Sequence, residues 1–253
     1  MKSNNIESEI QCLKSIMLNI SESCQLSCSY CPRSYGYQNN EYFMTLDIVK
    51  EIKKQLDSFN YKGLISISGM GEPTLHKDIF KICDIFRNYN LQVISNGITT
   101  DFDYEALSKK CTLIITKHLK SYNYDKKFEN INVIFKNHIE SDEKCSLIKT
   151  NRGGWLYNEK RDRKCFVPFY KLSIDYDGSY LLCPDDWSRK SKNFNNTIFN
   201  IEIKKYFCET LKSTKAKLLK SRLFIDTCKN CSIDGMLAGI EEANFFKNDK
   251  KQI

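Results

Sequence analysis

Seven of the twelve cysteines in this 253-residue chain fall into two groups, and these groups constrain what the chain can become more than any other feature. Cys24, Cys28 and Cys31 form a C-x3-C-x2-C run directly after an apolar stretch, residues 16–20, that reads as a strand. Cys165, Cys183, Cys228 and Cys231 lie so far apart that only a folded module can gather them. Disulfides account poorly for this pattern, because the polar start, residues 1–9, lacks the layout of an export signal and cytosolic reductants keep thiols reduced. No apolar run approaches the length of a membrane span. The expectation is a soluble cytoplasmic protein, without a membrane partner, that uses its cysteines as metal ligands.

Apolar residues at 41% and charged residues at 28% suit a folded globular unit with a real core. The net charge of +8 would suit an anionic partner, but the lysines are dispersed. The densest run, Lys212, Lys215, Lys217, Lys220 and Arg222, reads as the solvated face of a helix. No basic patch is interleaved with aromatics, which argues against a nucleic-acid partner.

Short apolar runs alternate with amphipathic ones through residues 16–150, the pattern of an α/β fold with a parallel sheet. Strands are expected at residues 16–20, 64–68, 91–95, 112–116 and 131–135. Thr45 is placed to cap a helix reaching residue 59, with Leu46, Val49, Ile52 and Leu56 on one face, and a second helix is expected over residues 77–89. The texture then changes. Asp177-Gly178 between two short apolar runs signals a hairpin, and a helix is expected over residues 203–219. The reading divides the chain into an N-terminal extension, residues 1–15, a main domain, residues 16–150, a smaller module, residues 151–235, and a charged tail, residues 236–253.

Thiolates are the ligands that iron–sulfur clusters require, and three of them leave one iron of a four-iron cube open to another molecule. Zinc remains the alternative, although its sites are usually assembled from paired C-x2-C elements. The segment Ser68-Gly69-Met70-Gly71-Glu72-Pro73 follows the second strand and Ser95-Asn96-Gly97 the third, so both share the strand C-terminal face with the cysteines. In barrel-like α/β folds that face carries the active site. The four later cysteines could form a fully ligated site, either a cluster or a structural zinc.

With Cys24, Cys28, Cys31, Tyr30 before the last cysteine, the segment from Gly69 to Pro73, and Ser95-Asn96, the chain resembles the radical S-adenosylmethionine (SAM) superfamily. The resemblance implies a partial (β/α)6-type TIM barrel. It also implies a [4Fe-4S] cluster whose open iron binds SAM and delivers one electron, drawn from a donor such as flavodoxin or ferredoxin, to form a 5'-deoxyadenosyl radical. Gly69, Gly71, Glu72 and Pro73 would hold the methionine amino group through backbone carbonyls or the Glu72 carboxylate. Ser95 and Asn96 would meet the ribose or methionine, and Tyr30 the adenine. Cys165, Cys183, Cys228 and Cys231 around the hairpin resemble a Twitch domain, the short form of the SPASM extension, which carries an auxiliary [4Fe-4S] cluster. Among families with this module the chain most resembles the 2-deoxy-scyllo-inosamine dehydrogenase type of aminoglycoside biosynthesis.

These resemblances imply oxidation of a hydroxyl to a ketone on a polar small molecule, such as a sugar, aminocyclitol or nucleotide-sugar, with the auxiliary cluster accepting an electron. Arg152, in Asn151-Arg152-Gly153-Gly154, is the candidate for substrate contact, since a guanidinium holds a hydroxyl or carboxylate in fixed geometry. Epimerisation is an alternative, with Cys145 as the thiol that returns hydrogen. Peptide modification is another, and it would need a recognition element supplied by a separate protein.

Overall fold

The computed structural model describes residues 2–147 and 150–236. A helix, α1 (Lys2–Ile10), leads into strand β1 (Ser15–Leu18). Helix α2 (Leu46–Ser58) follows, its first turn closed by the Thr45 hydroxyl, which accepts the Ile48 N–H at 3.4 Å. Val49, Ile52 and Leu56 bury the expected face, joined by Ile48 rather than the half-buried Leu46. Strand β2 (Leu64–Ile67), helix α3 (Ile79–Ile85), strand β3 (Asn90–Ser95), helix α4 (Tyr104–Ser108), strand β4 (Thr112–Lys117), helix α5 (Tyr124–Lys127) and strand β5 (Ile134–Asn137) continue the alternation. The fifth strand begins three residues later than its apolar run suggested, and α3 is shorter than expected.

The alternation of side chains along each strand sorts the two faces of the sheet. Ile16, Leu18, Ile65, Ile67, Val93 and Ile115 pack with Val49, Ile52, Leu56, Ile82 and Phe86 in one core. The intervening Met17, Ile94 and Thr116 face a cavity on the other side. One face therefore builds the core and the other is free to build a site.

After a long connection come helix α6 (Val167–Tyr170), strand β6 (Lys171–Ile174) and strand β7 (Tyr180–Leu181). The hairpin forms as expected, with Gly178 at φ +81° in its turn. It does not stand apart as a separate small sheet, however. Strand β6 pairs parallel to β1, with Ser15 opposite Lys171 and Leu18 opposite Ile174, and the single sheet has the order β5-β4-β3-β2-β1-β6-β7. The sheet runs across the boundary expected at residue 150, because the unpaired edge of β1 provides the hydrogen-bonding partners that β6 needs.

The helix expected over residues 203–219 is broken into α7 (Ile203–Lys205), a π turn (Tyr206–Thr210) and α8 (Lys212–Leu218). Its basic run is a solvated face only in part: Lys212, Lys217 and Lys220 are exposed, but two members are not. Lys215 is 1% exposed, donating to Glu9 at 2.9 Å and to the Phe207 carbonyl at 2.8 Å, and Arg222 is also 1% exposed. Lys215 is covered by α1, and Arg222, in a 3-10 turn beyond the helix, by the last cysteine loop. Among the described residues no helix is long and apolar enough to cross a membrane. The expected tail lies outside the described residues beyond Met236.

Candidate active site

The cysteine loop after β1 is held by one arginine. Arg33, 9% exposed, donates to the carbonyls of Glu22 at 2.5 Å, Met70 at 2.7 Å and Gln38 at 3.2 Å, and to Asn39 Oδ1 at 2.7 Å. Asn39 Oδ1 also accepts the Cys24 N–H at 2.8 Å, and the Cys31 N–H donates to the Cys28 carbonyl at 2.9 Å. The cysteines are thus presented by a loop whose backbone is tied to the β2 loop. Burial pushes the Cys24 thiol up to about 11, with the Glu72 charge adding to it, and burial likewise raises Cys28. Such thiols ionise when a metal replaces the proton.

A cavity of about 290 Å³ opens beside them, lined by all three cysteines, Tyr30, Gly69, Gly71, Glu72, Ser95, Asn96 and Arg152. Two residues expected at the site are not in its lining. Pro73 begins a buried 3-10 turn, Pro73–Leu75, and shapes the segment from behind. Cys145 closes a turn onto the Asp142 carbonyl in the loop after β5, outside the cavity, because that loop carries it past the strand ends.

Glycine is required twice on the cavity floor. A Cβ on Gly71 would lie 2.1 Å from the Ser21 carbonyl oxygen, and Gly69, at φ +133°, would meet Asn19 Oδ1 at 2.7 Å. The Glu72 carboxylate, 3% exposed, accepts Thr74 N–H at 3.0 Å, Thr74 Oγ1–H at 2.7 Å and the Asn96 N–H at 2.8 Å. The carboxylate thereby joins two loops while still lining the cavity. Burial raises its pKa against the pull of these hydrogen bonds.

Among the cavity residues that sequence reasoning missed are His118, His138 and Asp185. His118 and His138 stand one residue beyond the ends of β4 and β5, a position that the strand assignments alone could have flagged. The His118 ring stacks near Tyr30, its Nδ1 hydrogen-bonds with the Tyr30 hydroxyl, and Cys28 Sγ lies 3.6 Å away. Burial, then His138, pulls the His118 pKa down to about 4. Arg152, at φ +51°, forms an ion pair with Asp185 at 3.6 Å, and its buried Nε has no partner among the described residues. The turn that presents it is locked to the C-terminal segment. Asn151 Oδ1 accepts the Ser232 N–H at 2.8 Å, and Asn151 N–H donates to Ser232 Oγ at 2.7 Å.

Residues 18–144, half of the chain, match the radical SAM superfamily. The chain belongs to that superfamily. SAM and a [4Fe-4S] cluster are accordingly its cofactors. This radical SAM protein is 26% identical over 235 residues, 86% of its length and 92% of the relative's, to the S-adenosyl-L-methionine-dependent 2-deoxy-scyllo-inosamine dehydrogenase of Niallia circulans. It is 36% identical to a probable GTP 3',8-cyclase of Methanocaldococcus jannaschii over 89 residues, only 29% of that relative. In fold it matches the crystal structure of BtrN in complex with AdoMet and 2-DOIA, with a TM-score of 0.77, 22% identity and coverage of 90% of this chain and 96% of that one. Native anSMEcpe with bound AdoMet and the Cp18Cys peptide gives a TM-score of 0.55 at 14% identity, covering 94% of each chain.

The residues present fit the superfamily's cofactors. Soft thiol donors stand at the mouth of a cavity whose floor is glycine backbone packed closely on Asn19 and the Ser21 carbonyl. The four later cysteines of this radical SAM protein are gathered too. Cys183 follows β7, Cys165 precedes α6, and burial raises each of the four thiols, with charge repulsion among them adding to it. Arg222 lies against this group, donating to the Cys231 carbonyl at 2.9 Å while its buried Nε has no partner among the described residues. A Cβ on Gly235 would lie 2.2 Å from Cys165 Sγ. Among the described residues, no three His, Cys, Asp or Glu side chains close on a single ion position.

Proposed function

We propose that this radical SAM enzyme oxidises a hydroxyl of an aminocyclitol or related sugar to a ketone. The observation that carries the reading is that Arg152 and Asp185 share one cavity with the cysteine triplet, delivered there by the C-terminal half of the chain. Similarity to 2-deoxy-scyllo-inosamine dehydrogenase, spread over nearly its whole length, supports the same reading.

Cys24, Cys28 and Cys31 are assigned to the SAM-binding cluster, and Cys165, Cys183, Cys228 and Cys231 to an auxiliary [4Fe-4S] cluster in a Twitch-like segment. Held there, SAM and a reduced cluster would supply the 5'-deoxyadenosyl radical chemistry that removes a hydrogen atom from substrate. The chain's own residues do the rest. Gly69 and Gly71 let the cofactor approach the backbone, Arg152 orients the hydroxyl with a fixed fork of N–H donors, and Asp185 suits a substrate ammonium. The recess of the cavity limits water around a radical that would otherwise react indiscriminately. The epimerase alternative is less well supported, since the cavity thiols among the described residues are those of the triplet and Cys145 lies outside the lining. A reducing cytoplasm suits twelve free cysteines, and a reduced flavodoxin or ferredoxin is the proposed electron donor.

The test is anaerobic iron–sulfur reconstitution of wild type and of a triple variant with Cys24, Cys28 and Cys31 changed to alanine. About eight irons per wild-type chain are expected, with reductive formation of 5'-deoxyadenosine. The variant should keep about half the iron and lose SAM cleavage. Zinc in place of the second cluster would remove the auxiliary electron path, and absence of SAM cleavage in wild type would end the proposal.

A further inference from the structure

Only three histidines occur in the chain, and two of them line the cavity. The parallel register pairs Lys117 of β4 with Asn137 of β5, so the next residues, His118 and His138, emerge side by side. Their rings meet edge to face with centroids 5.7 Å apart, and the His138 backbone N–H is anchored on the Lys117 carbonyl at 2.9 Å. The two are not equivalent. His118 Nδ1 is engaged by the Tyr30 hydroxyl and lies next to Cys28, on the cluster side. The His138 ring contacts Tyr30 and His118 as an aromatic surface, and among the described residues neither of its nitrogens has a hydrogen-bond partner. An imidazole with free nitrogens, in a cavity that also holds Arg152, is poised to bond whatever molecule enters.

Resting on the dehydrogenation proposed above, we infer that His138 takes the proton of the substrate hydroxyl as the carbinol carbon is oxidised. In this step the carbinol C–H bond breaks and its hydrogen atom goes to the 5'-deoxyadenosyl radical. The O–H bond breaks, its proton bonds to a His138 ring nitrogen, the remaining electron passes to an oxidised iron–sulfur cluster, and the C–O bond becomes C=O. A hydroxyl beside a carbon radical is far more acidic than an ordinary alcohol, so a neutral imidazole is basic enough to accept its proton. Arg152 cannot take this part, because a guanidinium stays protonated, but its charge favours the oxyanion that precedes the ketone.

The surroundings of His138 keep it neutral and ready to accept. Burial lowers its pKa most, followed by the charges of Lys136 on its own strand and Arg152 on the facing turn. His118 faces it from the end of β4 and Tyr30 from the cysteine loop. Glu140, two residues further on, is hydrogen-bonded by Ser29.

The test compares the iron-loaded wild type with His138→Gln and His138→Asn, using 2-deoxy-scyllo-inosamine deuterated at its carbinol carbons as the probe. Wild type is expected to place deuterium in 5'-deoxyadenosine and to form ketone, with kcat falling on the acid side below about 6.5, the ordinary histidine value. The variants should bind SAM and iron as wild type does and still take deuterium from the probe. Ketone should form about 10²–10⁴-fold more slowly in them, with the acid limb gone. Wild-type kcat with an unchanged acid limb in either variant overturns the role of His138 alone, as does loss of iron or SAM binding in both, which would mark a structural ring. A wild type that cleaves SAM yet takes no deuterium from the probe removes the proposed reaction, and the role of His138 with it.

Discussion

Glu72 and Asn96, on the loops that follow β2 and β3, are joined by a buried hydrogen bond of 2.8 Å from the Asn96 backbone N–H to the Glu72 carboxylate. The other carboxylate oxygen accepts both the N–H and the hydroxyl of Thr74. Glu72→Gln puts an N–H2 donor where one of these N–H groups points, so an unpaired buried donor results whichever way the amide turns. A loss of about 1–3 kcal/mol in unfolding free energy is expected, with weaker SAM binding. Denaturant melts and equilibrium dialysis with SAM check both; unchanged affinity would show that the two loops hold their places without this bond.

Gly71→Ala should be worse for SAM than for folding. Its Cβ would press on the Ser21 carbonyl at 2.1 Å, a backbone atom that cannot swing aside, and would separate the cysteine loop from the cavity floor. At least a tenfold loss of SAM affinity is expected, corresponding to about 1.4 kcal/mol. Gly36→Ala is the control. No atom lies within 4 Å of its Cβ position, so only the left-handed backbone at φ +87° opposes it, at about 1–2 kcal/mol of stability.

Arg189 bridges the cysteine loop and the β6–β7 hairpin, donating to Asp175 at 2.6 Å and also to Glu22 and Tyr37. Arg189→Ala leaves two buried carboxylates facing each other, and about 3–5 kcal/mol of destabilisation is expected. The pH dependence has a definite sign. Burial alone would raise the Asp175 pKa, but the Arg189 hydrogen bond and charge, with Asn19 and Lys192, bring it below its usual value. A depressed carboxyl stabilises the fold above its unfolded pKa of about 3.9 and loses that contribution as pH falls through the folded value. The melting temperature of wild type should therefore drop on acidification below about pH 4. In the variant this drop should shrink.

Arg222→Met tests the electrostatics of the second cysteine group. The guanidinium lowers the thiol pKa of Cys165, Cys228 and Cys231 against the larger effect of burial, and its loss removes a positive charge beside a proposed anionic cluster. Where iron is retained, the reduction potential of the auxiliary cluster should move to more negative values, read by EPR-monitored titration. An unmoved potential at full iron would place the cluster elsewhere.

Arg152→Lys keeps the charge and loses the planar fork. A fall of about 10–100-fold in kcat/KM is expected, with SAM cleavage in the absence of substrate unchanged. That split separates substrate contact from a role in holding the cavity together, which would depress both.

Local features were legible in the chain because they depend on neighbours a few residues apart. The Thr45 cap, the Val49, Ile52 and Leu56 face, the Asp177-Gly178 turn and the first four strands follow from periodicity and backbone preference, and each is found within a few residues of its expected place. The cysteine spacing and its companions at Gly69–Pro73 and Ser95-Asn96 likewise announced the chemistry, since a loop motif carries its own ligands. Other readings failed where distant segments decide. Lys215 and Arg222 are buried by α1 and the last cysteine loop.

What the sequence by itself determined is the alternating strand and helix pattern, the C-x3-C-x2-C run and the family it belongs to, all written in short-range spacing. What only the tertiary structure decided is the pairing of β6 with β1, the exclusion of Cys145 from the cavity, and the meeting of His118, His138, Arg152 and Asp185 around it. Pairing between parallel strands joins residues as far apart as Ser15 and Lys171, and its register sets which side chains share a face. That choice is settled by burying one face of the whole sheet against the helices while the other lines a cavity, a condition that no short window of sequence contains.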